Sequence, residues 1–217
     1  MNSLLDSYGI DIEDLCSGLF SDVMDRMGYR HQIITDMHSN QGMTNFIGRA
    51  RTVYIETKET ENENIRKGLS FLGNLGEGDI LVVKGSDKFA YFGELMTKLS
   101  TRQGISGVVI GGLTRDTNYT FRDDVGLTVL AKGYSPVDIK GRGCVSETDV
   151  SIEIDGVKIS PGDIVYADNE AVCVVPSQIE NEVISKVKEK ILDEKRITSF
   201  IANGMSVAEL LENVAEF

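Results

Sequence analysis

The sequence has few cysteines and few histidines. It contains three cysteines, Cys16, Cys144 and Cys173, which lie far apart among apolar residues, and two histidines, His31 and His38. An odd number of scattered thiols argues against a disulfide framework and predicts reduced thiols in or near the core. Neither CxxC nor HExxH occurs, and the histidines have no carboxylate or cysteine at zinc-ligand spacing. A zinc site and a serine or cysteine triad therefore have almost no residues to use.

Positive charge is also scarce. The chain carries 22 Lys and Arg against 34 Asp and Glu, which gives a net charge of −12. Such a charge repels phosphate backbones and anionic membranes, and it argues against nucleic-acid binding through a general basic surface. A small anionic substrate stays compatible with this charge, because a local arginine or a helix N-terminus can outweigh the overall field.

Long apolar runs, a leader and nucleotide-binding motifs are missing from the sequence too. No apolar run approaches membrane-spanning length, and the N-terminal segment MNSLLDSYGIDIEDL lacks the basic and apolar regions of a signal peptide. No Walker loop occurs, and GNLGEG at 73–78 lacks the spacing of a dinucleotide fingerprint. We therefore expect a cytoplasmic protein without nucleic-acid or membrane partners. With 217 residues, of which 41% are hydrophobic, it fits a single domain over 1–217 with a C-terminal helical extension from about residue 178.

The hydrophobic pattern alternates between helical and strand-like spacing. Apolar residues at helical spacing predict a helix from Ile12 to Met27, with Asp11 as N-cap and Gly28 after its end. The pattern further predicts a weak helix around 65–75, a helix over 93–104, and strands over 47–56, 79–84, 105–110, 127–131, 164–167 and 171–175.

The remaining elements include a hairpin and two C-terminal helices. A glycine-bearing loop is predicted over 133–143, followed by two alternating strands within 145–159 that join at Asp155–Gly156. Helices are predicted over 178–202 and 206–215, the second with a capping box of Ser206 and Glu209. Helix–strand units combined with hairpins indicate an α/β fold with a mixed sheet.

One segment, GELMTKLSTRQGISGVVIGGLTRDT, joins a helix start to a strand end. Gly93 lets a ligand approach the backbone, and the free N–H groups of Glu94, Leu95 and Met96 form a cradle for a carboxylate or phosphate. Because sequential elements usually pack next to each other, we expect the residues that leave the following strand to lie beside this helix start.

Those residues are Arg115 and Asp116, a cation next to a carboxylate. Arg115 offers a charged clamp for an anion, and Asp116 a hard oxygen ligand of the kind that Mg²⁺ takes together with water and substrate oxygens. The pair is also compatible with a solvated loop ion pair, and Glu94 with a side chain that complements the helix dipole. The residues alone leave both interpretations open.

The segment from Gly93 to Thr117 resembles the signature of the 4-hydroxy-4-methyl-2-oxoglutarate aldolase family. This family also contains the RraA-like regulators of ribonuclease activity and members mislabelled as demethylmenaquinone methyltransferases. Further matches lie at Ser21–Asp22 before Gly28, at Gly48-x-Ala50-x-Thr52-Val53, and at Pro161-Gly162-Asp163 leading into Ala167-Asp168-x-x-Ala171-Val172 and Val175-Pro176.

The resemblance implies a fold, an assembly and a set of residue roles. The implied fold is a swivelling-domain-like β/β/α sandwich with mixed sheets and flanking N- and C-terminal helices, and the implied assembly is a homotrimer or homohexamer with active sites between subunits. The main chain of residues 93–96 would bind the carboxylate of the pyruvyl unit. Asp116 would bind Mg²⁺ or Mn²⁺, Glu94 would hold a metal-bound water, and Arg115 would contact the 2-oxo oxygen.

These roles imply a metal-dependent lyase that acts on a small 2-oxo acid, such as 4-hydroxy-4-methyl-2-oxoglutarate or oxaloacetate. A divalent ion chelated by the substrate stabilises the enolate that forms when the C3–C4 bond breaks. Arg115 adds a fixed positive charge at the same oxygen, where analogous donors contribute ~3 kcal/mol. No lysine Schiff base is required, and oxaloacetate decarboxylation is expected because it gives the same enolate.

Some features depart from the family pattern or stay open. Gly111–Gly112 stands where members often have Asp-Gly. The loop at 138–143 is either a solvated basic turn or part of the site or of an interface. The aldolases also use an acidic residue from a neighbouring chain near the C-terminus; Glu189 and Glu194 are candidates for this residue, and no motif selects one of them.

Two other functions remain as alternatives to the aldolase or decarboxylase. The first is a related metal-dependent lyase or isomerase that acts on another keto or sugar acid. The second is a non-catalytic RraA-like regulator that binds a protein partner. Regulators of this kind tend to lack the metal-binding Asp after the Arg, so Asp116 argues against the second alternative.

Overall fold

The computed structural model describes residues 3–42, 45–59 and 64–214. Its helices are α1 (Ser3–Tyr8), α2 (Ser17–Arg26), α3 (Asn64–Leu72), α4 (Glu94–Gln103), α5 (Thr117–Thr120), α6 (Glu180–Ala202) and α7 (Val207–Asn213). Its strands are β1 (Ile33–Ile34), β2 (His38–Ser39), β3 (Phe46–Thr57), β4 (Asp79–Lys84), β5 (Ala90–Phe92), β6 (Gly107–Thr114), β7 (Val129–Tyr134), β8 (Gly143–Thr148), β9 (Ile152–Ile154), β10 (Val157–Ile159), β11 (Ile164–Ala167) and β12 (Val172–Val175). Single 3-10 turns lie at Ile12–Asp14 and Asp123–Val125.

The strands form one large mixed sheet and one separate hairpin. The sheet order is β1-β12-β11-β3-β4-β6-β7-β2, with β5 paired to β6 and β8 paired to β3, while β9 and β10 form the hairpin. Strands β3, β4, β6 and β7 run parallel to one another, and β5 runs parallel to β6. The fold is therefore a mixed α/β fold with flanking N- and C-terminal helices, as the sequence predicted.

Both faces of the sheet are covered, and the alternation of side chains along β4 shows how. Leu81 and Val83 point into an apolar cluster under α3, whereas Ile80 and Val82 point into the cluster beneath the β9–β10 hairpin. A third cluster joins α1, α2 and α6 to β3, β11 and β12. A strand buried on both faces carries an uninterrupted apolar run, as β4 does. None of the helices in the described residues has a window long and apolar enough to cross a bilayer.

The single helix predicted from Ile12 to Met27 is wrong in its first part. A 3-10 turn at Ile12–Asp14, capped by the Asp11 side chain, is followed by extended backbone before α2 begins at Ser17. The reason is a long-range cap: the Asp168 carboxylate accepts a hydrogen bond from the Ser17 N–H at 2.7 Å. This contact ends the extended segment and starts α2, and local apolar spacing cannot reveal it.

Several strand boundaries also differ from the prediction. The strand predicted over 105–110 runs from Gly107 through both glycines to Thr114, and β7 continues to Tyr134, into the predicted loop. The segment at 145–159 contains three strands, of which β9 and β10 form the predicted hairpin. Strands β1, β2 and β5 and helices α1 and α5 were not predicted.

The C-terminal helices and two of the three thiols follow the prediction. The capping box of Ser206 and Glu209 is present at the start of α7, while residue 215 of the predicted helix lies outside the described residues. Cys144 and Cys173 are buried, and burial raises the pKa of the Cys173 thiol. Cys16 is exposed, contrary to the expectation of a core or near-core thiol, because it lies on the extended segment before α2.

Candidate functional site

The candidate site begins where β5 and β6 end side by side. Phe92 pairs with Thr114 in the parallel ladder. The Arg115 N–H and the Thr114 hydroxyl both donate hydrogen bonds to the Phe92 carbonyl, at 3.0 and 2.8 Å. The next residue after β5 is Gly93, where α4 begins. The structure thus places the helix start beside the residues that leave β6, which is the juxtaposition expected from the order of the elements.

Glycine is required at position 93 because a side chain would not fit there, and not because of its backbone conformation. Its φ of −158° is extended and open to any residue. A Cβ atom there would lie 2.3 Å from Asp116 Oδ2 and 2.8 Å from Arg115 Cγ. We expected a ligand to approach the Gly93 backbone. Instead, the side chains of Arg115 and Asp116 pack directly against it.

Asp116 is held by its backbone and by the helix start. It adopts the left-handed conformation at φ 60° and ψ 42°, which is uncommon for a residue with a side chain and is most often seen for Asn and Asp. Its Oδ2 atom accepts a hydrogen bond from the Glu94 N–H at 2.9 Å. The first amide of the expected carboxylate cradle is therefore taken by Asp116, while the next amides of the first turn have no partner within the helix.

Arg115 lies between two carboxylates. Its Nε atom is 3.5 Å from Asp116 Oδ2, and its Nη1 atom is 3.3 Å from Asp138 Oδ1. The Nε atom is buried and has no hydrogen-bond partner among the described residues. Its side chain is 31% exposed. The guanidinium group is thus fixed by ion pairs, and part of its hydrogen-bonding capacity is left for another group.

These side chains line an open cavity of about 640 Å³. Its lining residues are Glu94, Arg115, Asp116, Thr117, Asn118, Tyr119, Arg122, Tyr134, Ser135 and Pro136. Gly93, Leu95 and Met96 are not among them. The Leu95 side chain is 74% exposed, and Met96 packs against the core cluster under α3. The cavity therefore unites the charged candidates, and substrate binding through the amides of Leu95 and Met96 stays a prediction.

Two cations accompany the carboxylates near the cavity. Lys98 forms an ion pair with Glu94 one helical turn away, and its ammonium lies 4.5 Å from the centre of the Tyr119 ring. The hydrogen bond from Lys98 to Glu94 raises the pKa of Lys98, and the hydrogen bond from Arg122 to Asp124 raises the pKa of Arg122. Both groups therefore stay protonated at neutral pH, and each carries a carboxylate counter-ion.

Comparison with known proteins assigns the chain to a family. The family model of RraA-like proteins, described as Aldolase/RraA, matches residues 14–174. The chain belongs to the Aldolase/RraA family. A relative from Pseudomonas putida, named "Putative 4-hydroxy-4-methyl-2-oxoglutarate aldolase", is 32% identical over 151 residues, which cover 69% of this chain and 88% of the relative.

Two further similarities cover most of the chain. Protein DlpA of Legionella pneumophila is 27% identical over 205 residues, or 91% of this chain, and the chain spans about a third (32%) of the length of DlpA. The crystal structure of an uncharacterized protein from Pseudomonas syringae superposes with a TM-score of 0.79 at 25% identity, covering 91% of this chain and 92% of that one. The predicted family and the mixed α/β fold are thus confirmed.

The site of this Aldolase/RraA chain has the oxygen-rich chemistry that a hard divalent cation prefers. Glu94 and Asp116 line the cavity, and neither histidine nor cysteine does. Among the described residues no group of three or more His, Cys, Asp or Glu is placed to hold a metal. Mg²⁺ is often bound through one or two carboxylates, with water and substrate oxygens completing its shell. Asp116 fits a site of that kind, in which the protein supplies few of the ligands.

The sequence did not single out the end of β7, and it left a role of the 138–143 loop in the site open. Tyr134 and Ser135 line the cavity, and Asp138 forms an ion pair with Arg115. A signal for this existed: β6 and β7 are parallel neighbours, so the residues that follow both strands lie at the same edge of the sheet. Tyr119 and Arg122, which lie just after Asp116, were missed because the predicted elements contained no helix α5.

The acidic residues near the C-terminus lie elsewhere in this chain. Glu189 lines a separate cavity of about 240 Å³ between α2 and α6, together with Arg26 and Lys190. Glu194 is 4.0 Å from Lys190. Neither residue lines the 640 Å³ cavity of the same chain. A role for either of them in the site of a neighbouring chain stays a prediction.

Proposed function

We propose that this protein is a divalent-metal-dependent lyase that cleaves a small 2-oxo acid by a retro-aldol reaction or decarboxylates it. Compounds of the class of 4-hydroxy-4-methyl-2-oxoglutarate and oxaloacetate are the proposed substrates. One observation carries the proposal: Arg115 and Asp116 pack against Gly93 at the start of α4 and open into one cavity with Glu94. Membership of a family with aldolase relatives supports the same chemistry.

Arg115 is the residue proposed to meet the reacting oxygen. Cleavage of the C3–C4 bond leaves its electron pair on C3, and delocalisation places negative charge on the C2 oxygen. A fixed guanidinium aimed at this oxygen stabilises the charge as it develops, because it needs no reorganisation during the reaction. The Arg115 side chain lines the cavity and is 31% exposed, which supports a guanidinium that can meet a substrate oxygen there.

The substrate carboxylate is proposed to bind at the helix start. The amides of Leu95 and Met96 lie in the first turn of α4, where backbone N–H groups and the helix dipole favour an anion. The amide of Glu94 instead fixes Asp116 through the 2.9 Å hydrogen bond. One helix start would thus serve two purposes: it orients Asp116 and it binds the substrate.

Asp116 is proposed to hold Mg²⁺ or Mn²⁺, with Glu94 next to it. When bound, the cation supplies Lewis-acid stabilisation of the substrate oxygens. Glu94 is proposed to orient a water molecule that accepts the proton of the C4 hydroxyl, so that C4 becomes a carbonyl as the C3–C4 bond breaks. A proton returned to C3 then completes pyruvate. In decarboxylation, CO₂ departs in place of the carbonyl fragment.

The proposal is tested by measuring pyruvate release from 4-hydroxy-4-methyl-2-oxoglutarate and from oxaloacetate. We expect turnover in the presence of Mg²⁺ that is lost on chelation and restored when Mg²⁺ is added back. Arg115→Ala and Asp116→Ala should each lower kcat/KM by roughly 100-fold or more, the scale of losing one preorganised charge at an oxyanion.

The matched controls are Arg51→Ala and Asp149→Asn, which disrupt an ion pair that does not line the cavity. Both should retain wild-type turnover. Unchanged turnover in Arg115→Ala and Asp116→Ala would contradict the site assignment, and a wild-type protein inactive on every 2-oxo acid tested would contradict the lyase proposal.

A further inference from the structure

We propose that Asp138 is a positioning residue that holds the Arg115 guanidinium in place for the reaction. This inference rests on the proposed function, since it assigns Arg115 to the reacting oxygen. It also explains the motif SPVDIKGRG at 135–143, whose role the sequence left open.

The first observation is the balance of charge around Arg115. Its Nη1 atom lies 3.3 Å from Asp138 Oδ1, and its Nε atom lies 3.5 Å from Asp116 Oδ2. The two carboxylates hold different atoms of the guanidinium at similar distances, so together they fix its orientation. Without the charge of Asp138, the guanidinium would keep only the 3.5 Å contact with Asp116. Its orientation would then no longer be fixed.

The second observation is that the loop after β7 is built to fix the main chain of Asp138. Ile139 is buried at 6% exposure and belongs to the core cluster under α3. The Arg142 side chain donates hydrogen bonds to the carbonyls of Asp138 and Lys140, at 3.1 and 3.3 Å. Gly141 adopts a left-handed φ of 75°, which lets the chain turn back. A loop anchored in this way presents Asp138 at a defined position.

The third observation is that β5 joins this loop to the site. The Ala90 N–H donates a hydrogen bond to the Val137 carbonyl at 2.8 Å, and Ala90 forms a parallel bridge with Asp138. On its other side β5 pairs with the end of β6, which Arg115 follows directly. Asp138 and Arg115 therefore lie on the two chain segments that flank β5, and their ion pair joins these segments.

The ion pair between Arg115 and Asp138 contributes too little to stability to explain its presence. Arg115 and Asp138 have side chains that are 31% and 41% exposed, and ion pairs of such exposure contribute little to the free energy of unfolding. Fixing the guanidinium in one orientation, however, matters for chemistry, because a displacement of about 1 Å can cost roughly 100-fold in rate. The geometry thus fits a positioning role better than a structural one.

The test compares Asp138→Asn and Asp138→Ala with the wild type and with Asp149→Asn. Asp149 is a matched control, since it forms an ion pair with Arg51 and its side chain has a similar exposure of 37%. The first measurement is ¹⁵N relaxation of the Arg115 Nε–H group, assigned with Arg115→Lys. We expect an ordered group in the wild type and in Asp149→Asn, and an order parameter below about 0.6 in both Asp138 variants.

The second measurement separates kcat from KM. We expect kcat to fall roughly 10- to 100-fold in the Asp138 variants, with a smaller change in KM, because Arg115 is proposed to act on charge that develops during the reaction. Binding of oxalate, a planar dianion that resembles the enolate of pyruvate, should weaken about tenfold by calorimetry in the presence of Mg²⁺. Asp138→Glu should recover part of kcat.

The outcomes separate this inference from the proposed function. A wild-type protein inactive on all 2-oxo acids would refute the proposed function, and the order of the Arg115 side chain would still decide whether Asp138 positions it. An Arg115 side chain that stays ordered in both Asp138 variants would overturn the positioning role. So would kcat values equal to that of Asp149→Asn, even if the lyase activity is established.

Discussion

Gly93 is the residue on which the geometry of the candidate site most directly depends. Its extended φ places no demand on residue type, so the need for glycine comes from the side chains of Arg115 and Asp116 that pack against it. We predict that Gly93→Ala displaces both side chains and lowers kcat/KM by roughly 100-fold. The loss of stability should be small, because the nearest atoms belong to side chains that can move. Activity assays and urea denaturation measure the two effects.

Gly76→Ala is the control for this prediction. Gly76 has no atom within 4 Å of the position that a Cβ would occupy. The Gly76→Ala protein should therefore keep wild-type activity and stability. A Gly93→Ala protein with wild-type activity would show that the contact between the helix start and the Arg–Asp pair has no role in the reaction.

Single residues also show which parts of the site a sequence can and cannot reveal. Arg115 and Asp116 were predictable as candidates because a cation and a hard oxygen ligand follow a buried strand directly. For the loop that contains Asp138 the sequence left a site role open, since the ion pair with Arg115 depends on the bridge between Ala90 and this loop. Such a contact is set by tertiary pairing, and no local spacing in the sequence encodes it.

At the level of elements, α2 depends on a cap supplied by a distant strand connection. Asp168 accepts hydrogen bonds from the N–H groups of Ser17, Glu170 and Ala171, at 2.7, 2.9 and 3.2 Å. We predict that Asp168→Ala lowers the free energy of unfolding by about 2 kcal/mol, the upper end for the loss of a cap. Urea denaturation checks this value, and kcat should change little because Asp168 does not line the cavity.

Asp11→Ala provides the comparison for Asp168. Asp11 accepts one hydrogen bond, from the Glu13 N–H at 3.2 Å, at an exposed 3-10 turn. Its removal should lower the free energy of unfolding by about 0.5 kcal/mol, the lower end for the loss of a cap. Equal losses in the two variants would mean that the start of α2 does not depend on the long-range cap.

The contact between β3 and α6 makes stability depend on pH. Glu180 pairs with Arg49 through both carboxylate oxygens, and this hydrogen bonding lowers the pKa of Glu180. A carboxyl group with a lowered pKa stabilises the folded state at neutral pH, and this contribution is lost as the pH falls through the folded-state pKa, below 4.5. We predict that Glu180→Gln lowers the free energy of unfolding by about 1 kcal/mol at pH 7. In denaturation experiments below pH 4.5, the variant and the wild type should approach the same free energy of unfolding.

Glu182→Gln is the control on the same helix. Glu182 forms an exposed ion pair with Lys186 one turn away. Glu182→Gln should lower the free energy of unfolding by no more than about 0.5 kcal/mol. A Glu180→Gln protein whose destabilisation is the same at all pH values would show that the effect comes from packing and not from charge.

The elements show in physical terms why some boundaries were predictable. Strands β4 and β11 match the predicted bounds because turn residues enclose uninterrupted apolar runs. Strand β6 continues past Gly111 and Gly112, where its register to β7 shifts, because Leu113 and Thr114 pair with both β5 and β7. Glycine is needed at these two positions since a Cβ would meet Ile154 and the backbone of Ser86, at 2.8 and 2.5 Å. The glycines, which suggested the end of a strand, instead allow close packing inside one.

For the whole molecule, the remaining prediction is its assembly as a trimer or hexamer. Several apolar side chains around the site are exposed, among them Leu95 at 74%, Leu99 at 39% and Phe121 at 43%. Burying such side chains against another copy would favour association, while the net charge of −12 on each copy opposes it. We therefore predict a trimer or hexamer by sedimentation equilibrium, with association that strengthens as added salt screens the repulsion.

Leu95→Glu tests this prediction against Leu192→Glu. Leu192 is also exposed, at 61%, but it lies on α6 and not at the start of α4. If the apolar side chains around the site form the subunit contact, Leu95→Glu should shift the protein towards monomers, and Leu192→Glu should not. A wild-type protein that is monomeric at micromolar concentration would contradict the predicted assembly. If the active site lies between subunits, as the family resemblance implies, activity per chain should fall on dilution through the concentration range in which the assembly dissociates.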